Sequence, residues 1–232
     1  MPTGELMEFL ETAHRNQCGN QARFPEPHSL IERVDNCFVR GAENLINPKP
    51  AITGLFFLRS QYAYKAAAGM SLSGQVAESF PVMRSCLEYA GYALVIKNTP
   101  TLQEVFLNRH VDDASKWKQK AQFTIANTIT VIRKFDAKLA TIFKGFYDRT
   151  IDFGAHPNPV GMLSTLKMEK TESGGTMGID ALTIAPEPLM HAMKTTAQVG
   201  LTALFVFQHI LKAKFELLGI RDEMDVLRRH HL

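Results

Sequence analysis

Ala51-Ile-Thr-Gly-Leu-Phe-Phe-Leu-Arg-Ser-Gln-Tyr-Ala-Tyr-Lys-Ala-Ala-Ala-Gly-Met70 contains no proline, and its apolar residues fall on almost every side of a helical wheel. A helix apolar all round packs on several neighbours, so this stretch predicts a central helix with others gathered about it. Arg59 lies one turn from Leu55 and Ala63. An arginine there either snorkels to the surface or pairs with a carboxylate inside.

Working outward, Ser71-Leu-Ser-Gly74 is a short connection to a second apolar helix, Gln75 to Lys97, and short connections make antiparallel neighbours. Pro81 is expected to kink that helix or to mark where a first turn gives way to the main one. Arg84 and Glu88 are one turn apart in its middle. Burying two ions is costly unless each is paired, so they form either a structural bridge or one wall of a polar pocket.

Upstream, Glu5 to Arg15 has Leu6, Phe9, Leu10 and Ala13 at helical spacing, and Gly19-Asn20 is expected to break it before a loop through Phe24-Pro-Glu-Pro27. Ser29, with Glu32 three residues on, reads as a capping box opening a helix to Leu45. His14 and Cys18 are one turn apart, but two ligands make no site, and neither a metal nor a cofactor is assigned.

Downstream, Asp112 opens a polar helix that carries Trp117 as a packing anchor. Ile125, Ile129, Ile132 and Phe135 continue the helical pattern, and Asp136 caps a helix whose stripe is Leu139, Ile142, Phe143, Phe146 and Ile151. Two short runs flanking Thr171-Glu-Ser-Gly-Gly175 suit a β-hairpin. Pro186 and Pro188 start the last long helix, to about Leu218, and Gly219 closes it. His230 and His231 stand at the end of a charged tail.

The expected fold is therefore all-α: an up-and-down bundle of six to eight helices with one small β-hairpin before the last long helix. It is read as a single domain over 1–232, with 1–28 a leading helix and loop, 160–185 the hairpin appendage and 220–232 the tail.

Composition sets the outer limits. At 232 residues and 45% hydrophobic, the chain can bury a sizeable core. Its 26 basic and 23 acidic side chains leave +3, too balanced to mark a nucleic-acid binder by charge alone, though a local basic face is compatible with it. Cys18, Cys37 and Cys86 are widely spaced, which suits reduced thiols in a cytoplasmic protein. The longest apolar run, Leu201 to Leu211, contains Gln208 and His209 and is too short for a bilayer, so no membrane partner is expected.

The most chemically loaded segment is Phe146-Tyr-Asp-Arg-Thr-Ile-Asp-Phe-Gly-Ala-His-Pro-Asn-Pro159. Arg149 and Asp152 are three apart and share a helical face, while Gly154 and the prolines stop the helix at His156. One reading has Arg149 bridging Asp152 or Asp148, with His156 capping the last carbonyls.

The succession of Arg84-x-x-x-Glu88, the helix running from Tyr147 to His156-Pro157, the hairpin and the long final helix resembles a group of bacterial helical proteins whose bundles are similar to the HEPN superfamily. Arg149-Thr-Ile-Asp-Phe-Gly-Ala-His156 matches that superfamily's nuclease mark, an Arg followed after four to six residues by His. The resemblance implies a metal-independent endoribonuclease acting on RNA as a homodimer. In it His156 would move a proton at the ribose 2′-hydroxyl and Arg149 would stabilise the phosphorane.

Two other readings stand beside it, so whether the chain is an enzyme stays open at this point. One is a non-catalytic module that takes a small anion or nucleotide in a pocket lined by Arg59, Arg84, Glu88, Tyr62 and His156, with Asp152 nearby. The other is a dimeric scaffold with the apolar surface of one helix covered by a second subunit.

Overall fold

Apolar residues at helical spacing fill nearly every segment, and the chain folds accordingly. The computed structural model describes residues 4–155, 159–163, 165–171 and 174–231. Among these, twelve α-helices and one hairpin follow in order: α1 (Glu5–Arg23), α2 (Pro25–Glu43), α3 (Ala51–Ser73), α4 (Val76–Asn98), α5 (Leu102–Leu107), α6 (Asp113–Gln122), α7 (Ile125–Phe135), α8 (Ala137–Thr150), α9 (Pro159–Leu163), β1 (Leu166–Thr171), β2 (Gly174–Ile179), α10 (Pro186–Gln208), α11 (Lys212–Leu217) and α12 (Ile220–His231). None of the helices is long and apolar enough to cross a membrane.

The centre is the antiparallel pair α3–α4. Its connection is only Gly74-Gln75: Gly74 takes φ +93°, a left-handed conformation open to glycine, and its N–H caps the end of α3. Ser60 Oγ donates to the Cys86 carbonyl at 3.0 Å, tying the two helices at mid-length. Helix α10 lies across α4, α2 and α3. The Tyr64 ring occupies the space that a Cβ at Gly200 would need, so a glycine there lets α10 close on α3. Phe57 is the hub of the core, with the rings of Phe38, Phe207 and Phe215 centred 5.5, 4.9 and 6.3 Å away.

Several boundaries differ from the sequence expectation, each for a tertiary or capping reason. Helix α1 runs straight through Gly19-Asn20, because the Asn20 side chain is buried and donates to the Leu72 carbonyl at 2.9 Å. It stops at Phe24, the residue before a proline, and α2 starts with Pro25 at its first position, where a missing N–H costs nothing. Ser29 is thus inside a helix, and 24–28 is no loop.

Helix α4 passes through Pro81 unbroken. Pro81 has no N–H for the Ala77 carbonyl, and Gly154 packs so closely on that carbonyl that a side chain there would overlap it. The last long helix ends at Gln208, ten residues early. His209 and Ile210 there bond back to Val206 and Phe207 in a tightened turn, which swings α11 round to place Phe215 in the core.

The helix starts at Asp112 and Asp136 are as expected, since each carboxylate accepts from the N–H three residues on, at 2.6 and 2.8 Å. The hairpin also falls where the pattern placed it, with Leu166 opposite Ile179 and Met168 opposite Met177.

Candidate functional site

Helix α8 ends at Thr150 and passes into a π-turn, Ile151–Ala155, in which Gly154 leaves helical geometry. Such turns re-aim the side chains around them. Here Phe153 is turned inward against Phe80 of α4, ring centroids 5.3 Å apart and nearly parallel, and against His191 of α10, also at 5.3 Å. These residues close one end of a cleft of about 330 Å³ between the start of α4, the base of the hairpin and the start of α10.

The cleft wall is largely apolar, with Val76, Phe153 and Pro188, and its polar groups are His191, Glu187, Asp180, Thr183 and Thr165. Asp180 is held in place twice: its N–H donates to the Thr165 carbonyl at 2.7 Å, and its carboxylate pairs with Lys167 at 3.2 Å.

Arg149 sits in the last turn of α8, its guanidinium 5.2 Å from the centre of the Phe146 ring. Among the described residues no carboxylate lies within ion-pair distance of it. Asp148 is engaged by Lys144, and Asp152 is exposed, so the bridge expected between Arg149 and one of these acids does not form. The charge of Arg149 reaches His191 instead. His191 still reaches solvent, and its partial burial first and that cation second hold the imidazole below its ordinary proton affinity. His156 follows the π-turn in sequence but lies outside the described residues.

The remaining expected site residues are spread apart and do not share one pocket: Arg59 and Tyr62 stand on the outer face of α3, whereas Arg84 and Glu88 of α4 face α8. Arg59 reaches the surface, donating to the Tyr89 hydroxyl at 3.3 Å with its guanidinium 5.5 Å from that ring. Tyr62 is exposed one turn on. Arg84 Nε donates to Glu88 Oε1 at 2.9 Å, the Tyr147 hydroxyl donates to the same oxygen at 3.1 Å, and the Arg84 guanidinium lies 5.0 Å from the Tyr147 ring centre. Burial, and then the Glu88 charge, push the Tyr147 hydroxyl up to about 12, so it remains a proton donor to Glu88.

This trio is a bridge from α4 to α8, and it is half-buried, not dry: the Arg84 and Glu88 side chains are 24% and 29% exposed. A loss of about 3 to 5 kcal/mol on breaking the pair, the figure for a dry pair, therefore does not apply. Glu88→Gln, which keeps an acceptor and removes the charge, is expected to lower unfolding free energy by about 1 kcal/mol in a urea titration. A loss above about 3 kcal/mol would show that water does not reach the pair.

The two buried thiols are silent. Burial pushes the Cys37 and Cys86 thiols up to about 11 and about 12, so neither is a thiolate at neutral pH. Among the described residues no three His, Cys, Asp or Glu side chains are grouped to hold a metal ion.

The sequence did not point to His191, Phe153 or Asp180. The one local signal is that His191 interrupts an otherwise buried turn of α10 formed by Leu189, Ala192 and Met193. Comparison of the chain with protein-family models, with curated proteins and with solved structures finds no match in any of the three.

Proposed function

We propose that the chain is a nucleotide-binding helical module whose site is the cleft at Phe153 and His191, with Arg149 supplying the positive charge for a phosphate. The observation that carries this is Arg149 itself. It is an arginine without a carboxylate partner among the described residues, standing close enough to an aromatic-walled cleft for its charge to act on His191. A cleft of about 330 Å³ is at the small end of ligand sites, the size that suits a single base or mononucleotide. Phe153 and His191 offer π-faces, while Asp180 and Glu187 offer acceptors for ring amino groups.

A second reading, metal-independent endoribonuclease action, rests in its HEPN form on Arg149 with His156, and one observation adds to it: the charge of Arg149 also acts on the imidazole of His191, which puts a second candidate base near the anion stabiliser. A homodimer working in the cytoplasm belongs to the same proposal, the cytoplasmic setting resting on three unpaired cysteines.

Calorimetric titration with mononucleotides and short single-stranded RNA tests binding. Wild-type protein is expected to bind, and Phe153→Ala to weaken binding roughly 5- to 150-fold, the worth of about 1 to 3 kcal/mol for one stacked base. Helix content of the variant, followed by circular dichroism, should be unchanged. A wild-type chain that takes up neither ligand class removes the nucleotide reading.

A further inference from the structure

A second cavity lies at the other end of α10, and from His191 to its wall at Gln208 that helix runs roughly 26 Å. It has a volume of about 250 Å³, between the α10–α11 turn, the start of α8 and one face of α12. Where the cleft at His191 is largely apolar, this wall is largely charged. Arg221 and Arg228 reach it from α12, with Asp225 on the same helical face, and Lys212 reaches it from the first turn of α11. Leu139 and Phe205, both buried, make an apolar floor.

The cations are only partly answered. Asp225 is shared between Arg228 at 3.0 Å and Arg221 at 3.7 Å, and Glu216, which is not on the wall, meets Arg221 at 3.4 Å. Asp136, the second carboxylate of the wall, accepts the Leu139 N–H as the cap of α8. Among the described residues, the side chains of Gln208, His209 and Lys212 make no hydrogen bond and no ion pair. Unengaged donors in the field of neighbouring cations suit a ligand of opposite sign.

We propose that this cavity binds a small phosphate monoester, with the phosphoryl oxygens on Lys212, Arg221 and Arg228 and the organic stem over Leu139 and Phe205. Arginine forks match the oxygens of a phosphate, and a guanidinium bonded to a carboxylate keeps further N–H donors for another acceptor. The volume lies below that of ordinary ligand sites, which holds the stem to a few carbons. His209 supplies a reporter at the wall. Burial depresses its proton binding, Asp136 opposes that, and Arg221 and Lys212 add to it. A phosphate set among these cations offsets them, so the imidazole holds its proton more tightly when the cavity is filled. No residue of this wall lines the cleft at His191, so the site is independent of the nucleotide proposal.

NMR titration of the His209 imidazole, assigned through His209→Gln, tests this with glycerol phosphate as the probe and ionic strength held constant with chloride. The midpoint of His209 is expected to rise by about half a pH unit or more at saturation. Lys212→Glu, at an exposed side chain, is expected to weaken binding at least about tenfold, and Lys212→Arg to keep it. Inorganic phosphate, which has no stem to lay on the floor, is expected to bind less tightly than the monoester. An unmoved His209, a response confined to His191, which belongs to the other cleft, binding indifferent to Lys212→Glu, or inorganic phosphate as tight as the monoester would each overturn the proposal.

Discussion

Truncating Phe57 to alanine is expected to lower unfolding free energy by about 3 to 5 kcal/mol, the largest loss for any single core side chain in this bundle. The side chain is fully buried and touches α2 through Phe38, α10 through Phe207 and α11 through Phe215. Removing the ring leaves a hole bordered by four helices that are already fixed by other contacts, so the site cannot collapse to fill it. Domains are stable by about 5 to 15 kcal/mol, which makes this roughly a fifth or more of the whole. Urea unfolding followed by circular dichroism measures it. Leu217→Ala, at one of the most exposed apolar side chains, should shift the curve by less than about 0.5 kcal/mol in the same assay. Comparable losses at the two positions would mean that Phe57 is not the hub.

The sequence disclosed what repeats along it and hid what depends on distant partners. Helical spacing located the α3–α4 pair, Asp112 and Asp136 marked their helix starts, and the run around Gly174-Gly175 gave the hairpin. Asn20 looked like a breaker, because the group that satisfies its side chain, the Leu72 carbonyl, is supplied by another helix. The outward face of α3 was illegible for a different reason: a helix apolar on all sides carries no amphipathic signal to say which side meets solvent. Of the two positions open to Arg59, the surface is the one it takes, and Tyr62 is exposed beside it, so neither lines the ligand pocket that one reading gave them.

The Arg84–Glu88 pair was readable from its four-residue spacing, whereas its third member, Tyr147, arrives from another helix. The cleft is the extreme case. Phe153, Asp180 and His191 come together only because a π-turn, a hairpin base and a helix start converge on the first turns of α4.

Arg149→Ala is expected to reduce any RNA cleavage by this protein by a factor of roughly a hundred or more, while leaving the helix content unchanged. In such cleavage the 2′-hydroxyl gives its proton to a base and its oxygen bonds to phosphorus. The bond from phosphorus to the 5′-oxygen breaks, and that oxygen takes a proton, so the products are a 2′,3′-cyclic phosphate and a 5′-hydroxyl. Negative charge gathers on the phosphoryl oxygens midway, where a guanidinium without a carboxylate partner counts most.

His191→Gln should cost a comparable factor if its imidazole is the base, and EDTA should cost nothing, since no step calls for a metal. The pH profile separates a chemical role from a merely structural one. Partial burial and the Arg149 charge both depress proton binding at His191, so the base form persists to lower pH than at an ordinary histidine. Removing the cation relieves one of those two causes and raises the His191 pKa, so the acid limb of whatever activity Arg149→Ala retains should move to higher pH. A limb that stays in place would remove His191 from proton transfer. A wild-type chain that binds mononucleotides yet leaves single-stranded RNA uncut in EDTA would leave binding, without cleavage, as the work of the cleft.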